Sequence, residues 1–77
     1  MTRTFLVQSG PSCSDPAFLI VVTELLPEGQ KVDYADFFLV PPGRLIDAIK
    51  VSIRRQFAAT ESFWFVYLGA PYYAEQS

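Results

Sequence analysis

The chain has no histidine and one cysteine, Cys13, among its 77 residues. Neither an intrachain disulfide nor a Cys/His zinc site can therefore form. Histidine is also missing as a base for a serine or cysteine nucleophile, and the serines show no Ser-x-x-Lys spacing. The glycines form no phosphate-binding or dinucleotide-binding motif. We therefore expect a protein that is not an enzyme and that has no cofactor and no metal site.

Charge and long apolar runs are also scarce. Charged residues make up 18% of the chain, against about 25% in an ordinary soluble domain. The net charge is −2 and the isoelectric point is near 4.8, which disfavours binding to nucleic-acid phosphates. The longest apolar run, residues 17–22, is far shorter than the roughly 20 residues that span a bilayer. The apolar stretch near the N-terminus is too short for a signal peptide, so we expect a cytoplasmic protein without membrane contact.

Hydrophobic residues are abundant, at 51%, and aromatic residues reach 16%. This composition predicts one folded domain over residues 1–77, with residues 72–77 as a candidate mobile tail. Prolines and glycines divide the chain into apolar segments that predict strands at residues 4–8, 17–26, 31–40 and 62–69. A helix is predicted over residues 44–59. The expected fold is α+β, a small mixed four-stranded sheet (β-β-β-α-β) with one amphipathic helix packed on one face.

The predicted helix carries one apolar stripe. Four large hydrophobic residues follow one another at i, i+4 spacing, and Ile46 lies beside them. The stripe is predicted to pack against the sheet, and its spine consists of Leu45, Ile49, Ile53 and Phe57.

The predicted strands are apolar on both faces. In residues 17–22 and 63–68 the odd and even positions are alike hydrophobic, whereas a half-solvated strand alternates apolar with polar residues. A single helix covers one face of a small sheet. The other face should therefore be covered by another protein or by a second copy of the chain.

Aromatic residues provide the candidate partner-binding surface. Phe63, Phe65 and Tyr67 alternate along one side of the last predicted strand, and Tyr34 and Phe37 lie in the third. We expect these five residues on the outer side of the sheet, because aromatic side chains dominate interface energetics.

The opposite side of the last strand carries Trp64, Val66 and Leu68, which are expected beneath the helix. In the third strand, acidic residues interrupt the apolar alternation. A bulge near Ala35 is therefore predicted, which would bring Tyr34 and Phe37 to one face.

A second candidate surface is the basic side of the helix. Four of the six basic residues lie there with one acidic residue, Asp47, so the helix carries +3 and the rest of the chain −5. Such segregation is typical of a docking face for an acidic partner or a nucleic-acid backbone, and also of an ordinary solvated helix face. The basic residues are Arg44, Lys50, Arg54 and Arg55.

The expected function is that of a small non-catalytic protein-binding module, an accessory or inhibitory protein that forms a homodimer. Its partner is another protein or a second copy of itself. Stand-alone acidic chains of this size recur among phage and mobile-element inhibitors of host complexes, which is an analogy of size and composition alone. The alternative is a nucleic-acid-binding module that uses the basic helix or the open aromatic sheet.

Overall fold

The computed structural model describes residues 2–9, 17–29, 31–39 and 42–76. Within these residues the fold is a small mixed α+β structure, as predicted, with five strands instead of four. A short 3₁₀ turn, Pro42–Arg44, leads into the helix. The elements are β1 (Arg3–Ser9), β2 (Ala17–Leu25), β3 (Lys31–Leu39), α1 (Leu45–Gln56), β4 (Phe63–Tyr67) and β5 (Ala70–Ala74).

The strands form one sheet in the order β3-β2-β1-β4-β5. The first strand, β1, therefore lies at the centre, antiparallel to β2 on one side and parallel to β4 on the other. β3 and β5 are the edge strands, and each is antiparallel to its neighbour. It follows that β4 runs in the same direction as β3, with β2 and β1 between them.

β5 was not predicted. It follows a two-residue reversal at Leu68 and Gly69, where φ is +52° and +76°. Positive φ at both positions is typical of a type I′ hairpin turn, whose twist suits the flanking strands. Part of the proposed mobile tail is therefore a strand, in which Ala74 is buried and the Tyr72 ring stacks on Phe65 at 5.2 Å between centroids.

The helix α1 covers one face of the sheet and encloses the core. Leu45, Ile49 and Ile53 are buried, and Ile46 and Phe57 are half-buried against the same cluster. The predicted apolar stripe is thus confirmed. Among the side chains that the structure describes, the buried hydrophobic ones of the sheet and of the segment after α1 are Phe5, Val7, Ile20, Val22, Ala59, Phe63, Phe65, Tyr67 and Ala74.

The predicted assignment of the two faces of β4 is wrong. Phe63 and Phe65 are fully buried towards the helix, whereas Trp64 is 43% exposed on the other side. The parallel register pairs Phe65 with Phe5, and the rings of Phe5 and Phe63 meet edge to face at 5.3 Å. Rings from two neighbouring strands thereby fill the space beneath a single twelve-residue helix.

The predicted bulge in β3 is also wrong. Pairing with β2 continues without interruption through Tyr34, Ala35 and Asp36, so positions 34 and 37 have opposite parity. Tyr34 lies on the helix side, where its hydroxyl is 2.5 Å from Ser52 Oγ. The side chain of Phe37 lies outside the described residues.

Candidate functional site

The side of the sheet opposite α1 is called the outer face. Its residues follow from the strand register, because successive side chains along a strand point to opposite sides. Among the described side chains, the outer face contains Thr4, Leu6, Gln8, Leu19, Val21, Thr23, Leu25, Asp33, Ala35, Trp64, Val66, Pro71 and Tyr73.

The outer face exposes large apolar side chains. Trp64 and Tyr73 are 43% and 45% exposed, and their rings contact each other with centroids 5.0 Å apart. Leu25, on the other side of β1, is 42% exposed. Leu6 and Val66 are half-buried in the neighbouring row. No helix or strand in the described part of the chain covers these residues.

The described side chains of the outer face carry little charge. Among its described side chains, Asp33 on the edge strand β3 is the one charged group. An apolar, aromatic patch without charge at its centre is the composition found in the buried cores of protein interfaces. Leu68 extends the apolar surface at the β4–β5 turn, where its side chain is 77% exposed.

The aromatic residues proposed from the sequence lie elsewhere. Phe63, Phe65 and Tyr67 are brought together, but in the core beneath α1. The Tyr67 hydroxyl is 3.0 Å from Ser9 Oγ, while Tyr34 packs near the helix. The described residues of the predicted surface are therefore structural, and the exposed aromatic pair among the described side chains is Trp64 and Tyr73.

Arg54, from the proposed basic surface, is engaged within the fold. Its Nη1 donates hydrogen bonds to the carbonyl oxygens of Ala59 and Glu61 at 2.9 and 3.0 Å, and Nη2 donates to that of Glu75. Its guanidinium lies over the Phe63 ring, 5.0 Å from the centroid. Arg54 therefore links the segment after α1, through hydrogen bonds, to the residue that follows β5.

The other three basic residues remain at the helix surface. Arg44 and Arg55 are exposed and Lys50 is half-buried. Because α1 packs on the inner face, these cations and the exposed aromatic pair Trp64 and Tyr73 lie on opposite sides of the protein.

A bidentate ion pair joins β1 to β2 at the edge of the core. Arg3 Nε and Nη2 donate to the two carboxylate oxygens of Glu24 at 2.6 and 2.8 Å, and Nη1 donates to the Phe57 carbonyl oxygen at 2.9 Å. The hydrogen bond from Arg3 lowers the pKa of Glu24 below its ordinary value of 4.5 and correspondingly raises the pKa of Arg3. Glu24 can therefore remain ionised although it is buried.

Glu24→Gln is expected to lower stability more at neutral than at acidic pH. A carboxyl group whose pKa is lowered in the folded state stabilises the fold at pH values above its ordinary pKa. This stabilisation is lost as the pH falls through the lowered pKa. The difference in melting temperature between wild type and variant should therefore narrow below pH 4.5. Thermal melts from about pH 7 to about pH 3 measure it, with exposed Glu28→Gln as the control. A difference that stays constant with pH would contradict the role given to the pair.

A small polar cleft opens beside Arg3. It is lined also by Ala58, Thr60, Glu61 and Ser62, and its volume is about 150 Å³. Ligand pockets usually enclose about 300–1,000 Å³ and are mainly apolar. The outer face is therefore the stronger candidate for a functional surface.

Comparisons of the chain with protein-family models, curated proteins and solved structures find no match. Among the described residues, no helix is both long enough and apolar enough to cross a membrane. The candidate site thus rests on the geometry and composition of the outer face.

Proposed function

We propose that this chain is a non-catalytic protein-binding module, of accessory or inhibitory type, that binds its partner through the outer face of the sheet. The observation that carries the proposal is the exposure of Trp64, Tyr73 and Leu25 in the row next to the half-buried Leu6 and Val66. Contiguous apolar patches of this kind mark interaction sites, because monomeric proteins rarely leave them open to water.

The exposed rings are large enough to anchor an interface. A Trp or Tyr side chain buries about 150–250 Å² in total, and apolar burial contributes about 25 cal/mol per Å². Covering the remaining exposed parts of Trp64 and Tyr73 is therefore worth about 2 kcal/mol each. Two such anchors are comparable to the hot spots that dominate measured interfaces.

A protein partner fits this surface better than a nucleic acid does. Binding of single-stranded nucleic acid combines aromatic stacking with a positively charged groove along the backbone. Here Trp64 and Tyr73 are separated from the exposed Arg44 and Arg55 by the thickness of the sheet and helix. Among the described residues of the outer face, the one charge is the acidic Asp33, which repels phosphate.

Leu6→Glu is expected to abolish partner binding while the fold is retained, because it places a charge at the centre of the outer face. Val51→Glu is the matched control, since Val51 is 55% exposed on the helix side. Tagged wild type and both variants are used as baits in an extract of the source cells, and the retained proteins are quantified. Wild type and Val51→Glu should retain the same partner in similar amounts. Leu6→Glu should retain at least about tenfold less of that partner.

Two results would contradict the proposal. One is equal retention by all three baits, after circular dichroism has shown that each is folded. The other is steeply salt-dependent binding of single-stranded DNA or RNA that Arg44→Ala with Arg55→Ala removes. The second result would support the nucleic-acid alternative.

A further inference from the structure

We infer that the outer face is covered by a second copy of this chain, in a two-fold symmetric dimer with the sheets packed face to face. This inference rests on the proposed function and names its partner. In a two-fold interface the same patch faces itself, so it has to be complementary to its own rotated image. The charges and the strand order of the outer face make it complementary to its own rotated image. Its size is close to what a stable dimer needs.

The charges allow two copies to approach. β1 and β4 present no charged side chain to the outer face, and neither do the described outer-face side chains of β2 and β5. Asp33 lies on the edge strand β3. A two-fold axis that runs along β1, between the two sheets, places the two copies of Asp33 at opposite edges of the interface. They are then separated by about four strand spacings, roughly 19 Å, which exceeds the screening length of about 8 Å at physiological salt.

The strand order supplies complementary shapes. β1 is the middle of five strands, so an axis along it lays β4 of one copy over β2 of the other. The half of the outer face that carries the bulky Trp64 then meets the half formed by β2, whose side chains are smaller. Trp64 and Leu25 occupy the same row, because both pair with Thr4. Trp64 of one copy therefore faces Leu25 of the second copy, and two aromatic flanks do not collide.

The centre of this arrangement is Leu6. It lies on the axis and faces its own symmetry mate, between Val66 on one side and Thr23 on the other. Rotation about an axis along β1 keeps the direction of β1, so the two sheets pack in the aligned class, about 10 Å apart, with strand directions within about 30° of each other and with interdigitated side chains. Leu6, Val66 and Thr23 thus lie at the centre of the interface, and Asp33 lies at the edge of the same row.

The size of the face is close to what a stable dimer requires. Five strands about 4.8 Å apart, with a mean length of about 20 Å, give a flat footprint of about 500 Å² before side-chain relief is counted. Stable interfaces bury about 600–1,000 Å² per partner. The flat footprint lies just below this range, so a second copy has to cover the whole outer face, side-chain relief included, to form a stable dimer.

Sedimentation equilibrium and tryptophan fluorescence test the inference. Sedimentation equilibrium of wild type and Val51→Glu should show a dimer, twice the 8.7 kDa of one chain, while Leu6→Glu should sediment as a monomer. Trp64 is the only tryptophan, so its emission reports directly on the outer face. Dilution of wild type should shift this emission to the red in step with dissociation.

Site-specific crosslinking tests the position of the axis. In a Cys13→Ser background, a short bis-maleimide should join Leu6→Cys to its own mate, because the two positions face each other across a sheet separation of about 10 Å, which is too far for a direct disulfide. Val51→Cys, exposed on the helix side, should crosslink at least about tenfold more slowly. Equal rates would overturn the inference. Should Leu6→Cys not fold, the tryptophan dilution of wild type decides, and an unchanged emission overturns it.

The results also separate this inference from the proposed function. A wild type that is monomeric at about 100 µM overturns the second copy as partner, because a stable interface of this size should be occupied there. The proposed function survives that result if Leu6→Glu still abolishes capture of another protein. A dimer that Leu6→Glu leaves intact overturns the inference, because its interface then lies elsewhere. If capture is also insensitive to Leu6→Glu, the proposed function fails as well.

Discussion

Phe65→Ala is expected to lower the free energy of unfolding by about 3–5 kcal/mol, because it removes a fully buried ring from the core. The ring is stacked on Tyr72 and lies 6.2 Å from Phe63, so its loss leaves a cavity that neither neighbour can fill without moving. A domain of this size is stable by only about 4–12 kcal/mol, so much of the stability is lost. Urea unfolding followed by far-ultraviolet circular dichroism measures the change.

Trp64→Ala is the matched control, one position away on the same strand. Trp64 is on the outer face and 43% exposed, so its truncation should cost less than about 1.5 kcal/mol in the monomer. Both variants are compared at low protein concentration, where association no longer contributes to stability. If Trp64→Ala cost as much as Phe65→Ala, the assignment of the two faces of β4 would be wrong.

The helix and its buried side were predictable from the sequence. The hydrophobic residues from Leu45 to Phe57 have i, i+4 spacing, so in a helix they all lie on one side. That side is therefore the one that packs against the sheet. The segment Pro41-Pro42-Gly43 marks where the third strand ends, and the 3₁₀ turn that leads into the helix begins at Pro42. Local chemistry decides both features, which is why they could be predicted without knowledge of the sheet.

The buried side of β4 could not be decided in the same way. Phe63 and Phe65 are apolar, but so are Trp64 and Val66, and alternation carries no signal when both sides are hydrophobic. The decision comes from the register with β1, which aligns Phe65 with the buried Phe5. That pairing joins residues sixty positions apart in the chain, a relation that no local pattern contains.

The fifth strand was missed because its turn is unusual. Positive φ is normally supplied by glycine, asparagine or aspartate, and here Leu68 adopts it together with Gly69. Tyr72 and Tyr73 point to opposite faces of the sheet, and two aromatic residues in succession favour a strand. Since Tyr73 forms half of the exposed aromatic pair, missing β5 also meant missing part of the candidate site.

Ile53→Ala is expected to destabilise the fold by about 2–4 kcal/mol. Ile53 is fully buried at the middle of the helix stripe, and alanine is the better helix former, so the loss has to come from packing against the sheet. For a domain of this size each kcal/mol changes the melting temperature by about 4–8 °C. A thermal melt should therefore show a decrease of at least about 8 °C.

Val51→Ala isolates the packing contribution, because Val51 lies on the same helix two positions earlier and is 55% exposed. It exchanges a β-branched residue for alanine without opening a cavity, so stability should stay the same or rise by up to about 0.5 kcal/mol. Both substitutions replace a β-branched residue with alanine on the same helix, so the difference between their effects on stability reports the burial of Ile53. Were Ile53→Ala to melt within about a degree of wild type, the helix stripe could not be the cover of the inner face, and the assignment of the outer face as the open one would fall with it.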